Sequence, residues 1–306
     1  MAVGSVASQS SDASAGTGSP PQIFLPHAPS LFAVHISCVI VCSTALKGTH
    51  RRSVLAIAGV SSSRYYVRRV VTRVLEAARA RRLLVKWRAW ESAHFGEPEI
   101  QLLKYLVDPR RSAIDIGAAE GVYSFYLQKL AKHCIAFEPN PYLHANLKHA
   151  LPGVEVHQAA VSSMESNVTL RIPVVNGIPY SGWGTIEPKN QLAELGPHTI
   201  QQIEVRTIRP DRMPLGDVGF VKIDVEGHEL EVLAGLSDLL VKCLPNLLIE
   251  VGDSQRGGSL SEVCFRLARL GYVALRLDDG RALVTLPKNV EIKGSMNVIF
   301  IAPRNL

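Results

Sequence analysis

Aromatic residues make up only 6% of this 306-residue chain, and no two of its five cysteines stand at CxxC spacing. Cys38, Cys42, Cys134, Cys243 and Cys264 are odd in number and scattered, which argues for a reduced, cytoplasmic compartment rather than a secreted disulfide scaffold. Charge is scarce at the start, where Asp12 alone precedes Lys47. The apolar run Leu31–Leu46 has 16 residues, short of the roughly 20 that cross a bilayer. No positive charge precedes it, as a signal peptide would require. With 47% hydrophobic and 20% charged residues the composition is that of a globular protein, which excludes wholesale disorder, a collagen-like repeat or a polytopic membrane protein.

The net charge of +6 is unevenly distributed. Lys47 to Arg111 holds 15 basic and 5 acidic residues, whereas Ser112 onward holds 18 and 21. The basic character therefore belongs to one segment, and no specific nucleic-acid partner is expected. Residues 1–30, rich in Ser, Ala, Gly and Pro, are expected to be disordered, and 1–60 to form an extension outside the fold. Residues 61–96 form an arginine-rich segment, with a helix expected over Arg64–Trp90. Its arginines read either as a solvated face or as a surface for acidic lipid, nucleic acid or a phosphorylated substrate.

Residues 97–306 form the main domain, in which short apolar runs alternate with amphipathic stretches. Strands are expected at Ala113–Ile116, His133–Phe137, Val154–Val156, Phe220–Val225 and Leu247–Val251. Helices are expected at Val122–Leu130, Tyr142–Ala150, Glu229–Leu240 and Leu260–Leu270. This alternation specifies an α/β fold, a parallel sheet covered by helices on both faces, with Tyr272–Leu277 and Asn297–Ile301 as a terminal pair of strands.

Three segments carry chemistry. Asp115-Ile-Gly117-Ala-Ala119-Glu-Gly121 closes the first of these strands with a turn where open α/β sheets bind nucleotide-like ligands. It lacks the G-x-G-x-x-G dinucleotide fingerprint, and it has no lysine or arginine for phosphate. Glu138 ends the second strand, 17 residues after Gly121, where a carboxylate can accept both hydroxyls of a ribose or cap the next helix. Asn140 can fill that cap itself. Together these point to an adenosine-containing ligand with little or no phosphate. The third segment, Lys222-Ile-Asp224-Val-Glu226-Gly-His228-Glu229, gathers polar groups at a strand end. There His228 or Asp224 can accept a proton with Glu226 assisting, or Glu226 and Glu229 can simply favour the helix start.

The strings Asp-Ile-Gly-Ala-Ala-Glu-Gly-Val-Tyr-Ser (115–124), Phe-Glu-Pro-Asn-Pro (137–141) and Lys-Ile-Asp-Val-Glu-Gly-His-Glu (222–229) together resemble the FkbM family of S-adenosylmethionine-dependent methyltransferases. The last string is that family's most specific signature, and the likeness runs from about Glu97 to Pro303. It implies a seven-stranded, Rossmann-like sheet, mostly parallel with an antiparallel last strand. It also implies S-adenosylmethionine as cofactor, held by Asp115, Gly117, Ala119, Gly121, Glu138 and Asp224, with a small-molecule or glycan hydroxyl as acceptor. Two departures bear on the acceptor: Thr207-Ile-Arg209-Pro-Asp211 stands where Thr-Leu-Asp is usual, and Glu250-Val-Gly252-Asp253 where Glu-x-His is usual. The loop Asn176–Gly184, with Tyr180, Ser181 and Trp183, reads as facing substrate or as a solvent loop anchored by its Trp. Two rival readings are a metal held by Asp224, Glu226, His228 and Glu250, and a non-catalytic adapter binding membrane or RNA through the arginine helix.

Overall fold

A computed structural model describes residues 23–24, 70–192, 196–252, 259–278, 282–287 and 294–305. Most of 1–60, including Leu31–Leu46, therefore lies outside the described residues, as does Asp253. Along the chain the strands are β1 (Ile23–Phe24), β2 (Ser112–Ile116), β3 (His133–Phe137), β4 (Val154–His157), β5 (Ala160–Val161), β6 (Asn167–Val175), β7 (Ile178–Pro179), β8 (Thr199–Ile208), β9 (Val218–Ile223), β10 (Asn246–Gly252), β11 (Val273–Asp278), β12 (Ala282–Thr285) and β13 (Ser295–Ile301). The helices are α1 (Arg81–Glu91), α2 (Leu103–Leu106), α3 (Val122–Leu130), α4 (Pro141–Ala150), α5 (Glu229–Gly235), α6 (Ser237–Cys243) and α7 (Ser259–Ala268).

The main sheet runs β1-β12-β11-β13-β10-β9-β2-β3-β4. Neighbours from β10 to β4 pair in parallel, and β13 inserts antiparallel between β10 and β11. The expected antiparallel last strand is therefore present, and β11 and β13 pair as anticipated. The expected count of seven needs correcting, because among the described residues the sheet has nine strands. The two extra ones extend the β11 edge: β12 lies within the polar connection between β11 and β13, and the two residues of β1 pair with it.

Alternation along the strands sends side chains to two cores. Ile114, Ile116, Val221, Ile223, Leu247 and Ile249 pack toward α5, α6 and α7. Ala113, Cys134, Ala136, Phe220, Leu248 and Ile299 pack toward α1 through α4. Burial on both faces makes these strands continuous apolar runs in sequence.

Three local features differ from expectation. The helix expected over Glu229–Leu240 breaks at Leu236 into α5 and α6. The helix expected over Arg64–Trp90 is helical over 70–77 and then stops; residues 64–69 lie outside the described residues. Arg79, at φ 52°, turns the chain left-handed there. Its N–H reaches the Glu76 carbonyl and the Ala80 N–H reaches Leu75, a Schellman closure before α1 begins. Finally, a second sheet, β5-β8-β6-β7, rises between β4 and β9 around a small core of Leu170, Ile172 and Val205. The loop expected at Asn176–Gly184 is its tip, containing β7 and a single helical turn, Ser181–Trp183. Among the described residues, no helix is long and apolar enough to cross a membrane.

Candidate active site

The parallel strands β2, β3 and β9 deliver their motifs to one edge of the sheet. Their turn is fixed by backbone contacts that tolerate no side chain at Gly117. With φ at 79°, a Cβ there would stand 1.7 Å from the Asp224 carbonyl oxygen. The Gly117 and Ala118 amides donate to the Phe137 carbonyl, and the Asp224 amide donates to Ile116, so the three strand ends are laced together. Gly121, at φ 83°, abuts Leu147 of α4 at the start of α3. Ala119 itself sits at φ 44° and presents its N–H to Glu138.

Glu138 is buried, and its two oxygens accept the Ala119 and Asn140 amides, each at 2.8 Å. Burial pushes its carboxyl up to about 7, against the pull of those two donors. Asn140 caps α4 by accepting the Tyr142 amide, so the helix start does not need Glu138. Asp115 is buried beneath the same turn and accepts the Ser124 hydroxyl; burial raises it to about 6.

Asp224 stands a third exposed at the end of β9, with Lys222 Nζ 3.7 Å from its Oδ2. Partial burial, together with the charges of Glu250, Glu97 and Glu229, raises its carboxyl above the usual aspartate value, although Lys222 pulls the other way. Lys222 is fully buried, donates to Asn297 Oδ1 at 3.1 Å and faces the Tyr123 ring. Burial opposes its charge, but Asp224, Glu250, Glu97 and Asp115 together outweigh that, so the ammonium is held above the usual lysine value. Glu97 accepts the Tyr123 hydroxyl at 2.6 Å.

His228 lines the cavity, yet both ring nitrogens face protein groups: Nε2 lies 3.0 Å from Ser162 Oγ and Nδ1 3.3 Å from Glu187 Oε2. Glu229 reaches back to the Gly227 amide at 2.8 Å and so helps start α5. Glu226 sits at φ 53°, a strained backbone for a residue with a side chain. Its carbonyl accepts from Thr185 Oγ1 and from Asn190 Nδ2, both at 2.8 Å. The segment after the small-sheet tip thus clamps the signature loop at Glu226 and His228.

The space around these groups is continuous. A narrow slot of about 50 Å³, with Glu138 among its walls, runs between Ile116, Phe137 and Ala159–Val161. No lysine or arginine lines it, which suits a nucleoside and not a phosphate. Past Gly117, Ala119 and Asp224 it opens into a cavity of about 510 Å³ lined by Glu97, Tyr123, Tyr180, Trp183 and Lys222. The tip residues Tyr180 and Trp183 therefore do face this cavity. Among the described residues, no group of three or more His, Cys, Asp or Glu is arranged to hold a metal. Glu250, one of the ligands the metal reading required, accepts the Ser295 hydroxyl at 2.6 Å.

Sequence reasoning did not assign Lys222, Glu97, Ser162, Thr185, Glu187 or Asn190. Lys222 left a signal, since one lysine inside the apolar strand Val218–Ile223 implies a buried charge with partners. The others lie in segments whose meeting with the signature loop depends on the small sheet.

Residues 115–274, just over half the chain, match the Methyltransferase FkbM domain family. Methyltransferase 1 of Beauveria bassiana (strain ARSEF 2860) is 26% identical over 161 residues, covering 46% of this chain and 65% of that protein. Methyltransferase sdnD of Sordaria araneosa is 28% identical over 172 residues, covering 46% of this chain and 66% of that one. The chain thus spans a little less than two thirds of the length of these curated relatives. Among solved structures, Methyltransferase FkbM from Methylobacillus flagellatus KT shares 15% identity at a TM-score of 0.44, covering 69% of this chain and 47% of that one.

Proposed function

The chain belongs to the FkbM methyltransferase family, and on that premise we propose that it transfers a methyl group from S-adenosylmethionine to a hydroxyl oxygen of a small polar acceptor such as a sugar or glycan. The observation that carries this reading is the slot that holds Glu138, free of basic residues, opening at Asp224 into a larger polar cavity. Bound there, S-adenosylmethionine supplies the methyl group and its own leaving group, a sulfonium that departs as a neutral thioether.

The chain's residues then have three tasks. Glu138 keeps lone pairs for a ribose after accepting its two amides, and Gly117 and Ala119 let a ligand approach the backbone. Asp224 accepts the acceptor's proton as its oxygen bonds to the methyl carbon. Its raised affinity for a proton suits that task, and Lys222 and Asn297 fix the strand end from which it acts. His228, with both nitrogens engaged, holds the signature loop to Ser162 and Glu187, and Glu226 shapes that loop through its carbonyl. The reaction in this reading uses alignment and one proton acceptor, without metal.

The test is methyl transfer itself. Full-length protein with methyl-labelled S-adenosylmethionine and fractionated small-molecule and glycan extracts should yield an alkali-stable labelled ether. Failure to bind S-adenosylhomocysteine by calorimetry would refute the cofactor assignment. Label in an ester or amine would refute the hydroxyl acceptor.

A further inference from the structure

Beyond the tip of the small sheet the reaction cavity continues into a third space of about 930 Å³, shared across Ala119, Glu120, Ile178, Pro179, Ser181 and Gly182. Its far wall is the arginine-rich segment, which contributes Arg79, Arg81 and Arg88. The acidic residues on this wall are already engaged: Arg88 pairs with Glu120 at 2.6 Å and with Glu76 at 3.5 Å. Arg79 and Arg81 are exposed and make no ion pair among the described residues. Two uncompensated guanidinium groups therefore overlook a cavity that leads to Asp224.

Arg79 also occupies an unusual position. It is the left-handed residue of the Schellman closure, where glycine normally stands because a side chain there strains the backbone. Such strain is tolerated where the side chain has a use. At this position it adds a permanent positive charge to the residues that line the cavity.

We infer that Arg79 and Arg81 form an anion subsite, so that the methyl acceptor is an anionic molecule whose phosphate or carboxylate docks there while its hydroxyl lies at Asp224. Arginine suits both groups, because its planar fork donates in pairs to their oxygens. The inference rests on the methyl-transfer reading for the hydroxyl end only; the anion subsite can be tested without turnover. The two additional cavities, about 510 and 930 Å³, give room for an extended acceptor.

The experiment is calorimetric titration of the full chain with inorganic pyrophosphate and, in a second arm, with citrate. Wild type should bind at least one of them, and the arm that binds tells phosphate from carboxylate. Arg79→Gly combined with Arg81→Gln should weaken that binding at least tenfold. The glycine relieves the left-handed strain, so the variant should melt no lower than wild type, and lost binding then cannot be blamed on unfolding. Arg82→Gln removes an exposed arginine that does not line the cavity and should change binding less than twofold. Absence of binding in both arms, or equal weakening by Arg82→Gln, overturns the subsite. S-adenosylhomocysteine titrated into the same variants should bind as in wild type. If it binds neither variant nor wild type, the methyl-transfer reading fails while the subsite stands on its own result.

Discussion

Replacing Glu138 with Gln tests the cofactor assignment where the structure is most explicit. The carboxylate accepts one amide on each oxygen, from Ala119 and from Asn140. In the variant one oxygen becomes an NH2, which must face an N–H donor in a buried site. One backbone amide is left without an acceptor, which costs about 1–3 kcal/mol of folding stability. The bond that a ribose hydroxyl would make to that same oxygen is lost as well, at about 1.5–3 kcal/mol for a hydrogen bond to a charged group. That corresponds to a roughly 10- to 150-fold rise in the dissociation constant. Calorimetry with S-adenosylhomocysteine and urea unfolding on the same preparation read the two losses separately. The pH dependence supplies a further check. Burial raises the carboxyl from 4.5 to about 7, so between these values the folded protein keeps a proton that the unfolded chain releases. Stability of the cofactor-free protein should therefore fall as pH rises through that window, and the Gln variant should lack this component. A variant that binds within twofold of wild type would show that Glu138 serves the turn alone and does not hold a ribose.

Three further outcomes are expected. Asp224→Asn should lower turnover by about 10²–10⁴-fold with little change in cofactor affinity. Wild-type activity should rise with pH as this raised carboxyl ionises, through a value that moves down when a cationic cofactor saturates the site; an identical pH profile in the variant would remove Asp224 as the proton acceptor. His228→Ala should cost about 1–3 kcal/mol in urea unfolding, because Ser162 and Glu187 lose their buried partner, while turnover of the folded fraction stays within tenfold. A hundredfold loss at unchanged stability would instead make His228 the base. Gly117→Ala should abolish soluble expression or cofactor binding, since its methyl would overlap the Asp224 carbonyl; a stable variant with normal affinity would contradict the close packing of β2 against β9.

Much of the central sheet was legible because burial on both faces leaves a strong trace. Val122–Leu130 and His133–Phe137 match the expected bounds residue for residue; Gly121 precedes the helix, and Lys132 and Glu138 bracket the strand. The small sheet was not legible in that way. Its strands β6 and β8 bury one face only, on Leu170, Ile172 and Val205, and a reading that looked for continuous apolar runs passed over the alternation. The break at Arg79 was hidden for a different reason. Arginine is a good helix former, and nothing in the sequence announces a left-handed residue that is neither glycine nor asparagine.

The same distinction divides the site. Asp115, Gly117, Glu138 and Asp224 could be found in sequence because strand ends bring them together, and a parallel sheet determines where strand ends lie. The residues that set their chemistry come from outside that logic. Thr185 and Asn190 reach the Glu226 carbonyl, and Glu187 reaches His228, all from the chain that follows the small-sheet tip. Tyr180 and Trp183 at the tip line the cavity that opens at Asp224. One excursion between β4 and β9 therefore both fixes the signature loop and walls the cavity that opens at Asp224. A substitution in Thr185–Asn190 would disturb Glu226 and His228 directly, whereas one at Tyr180 or Trp183 would alter only what the cavity admits. Under the proposed methyl-transfer reading, acceptor choice can thus vary at the tip without loosening the loop that carries Asp224.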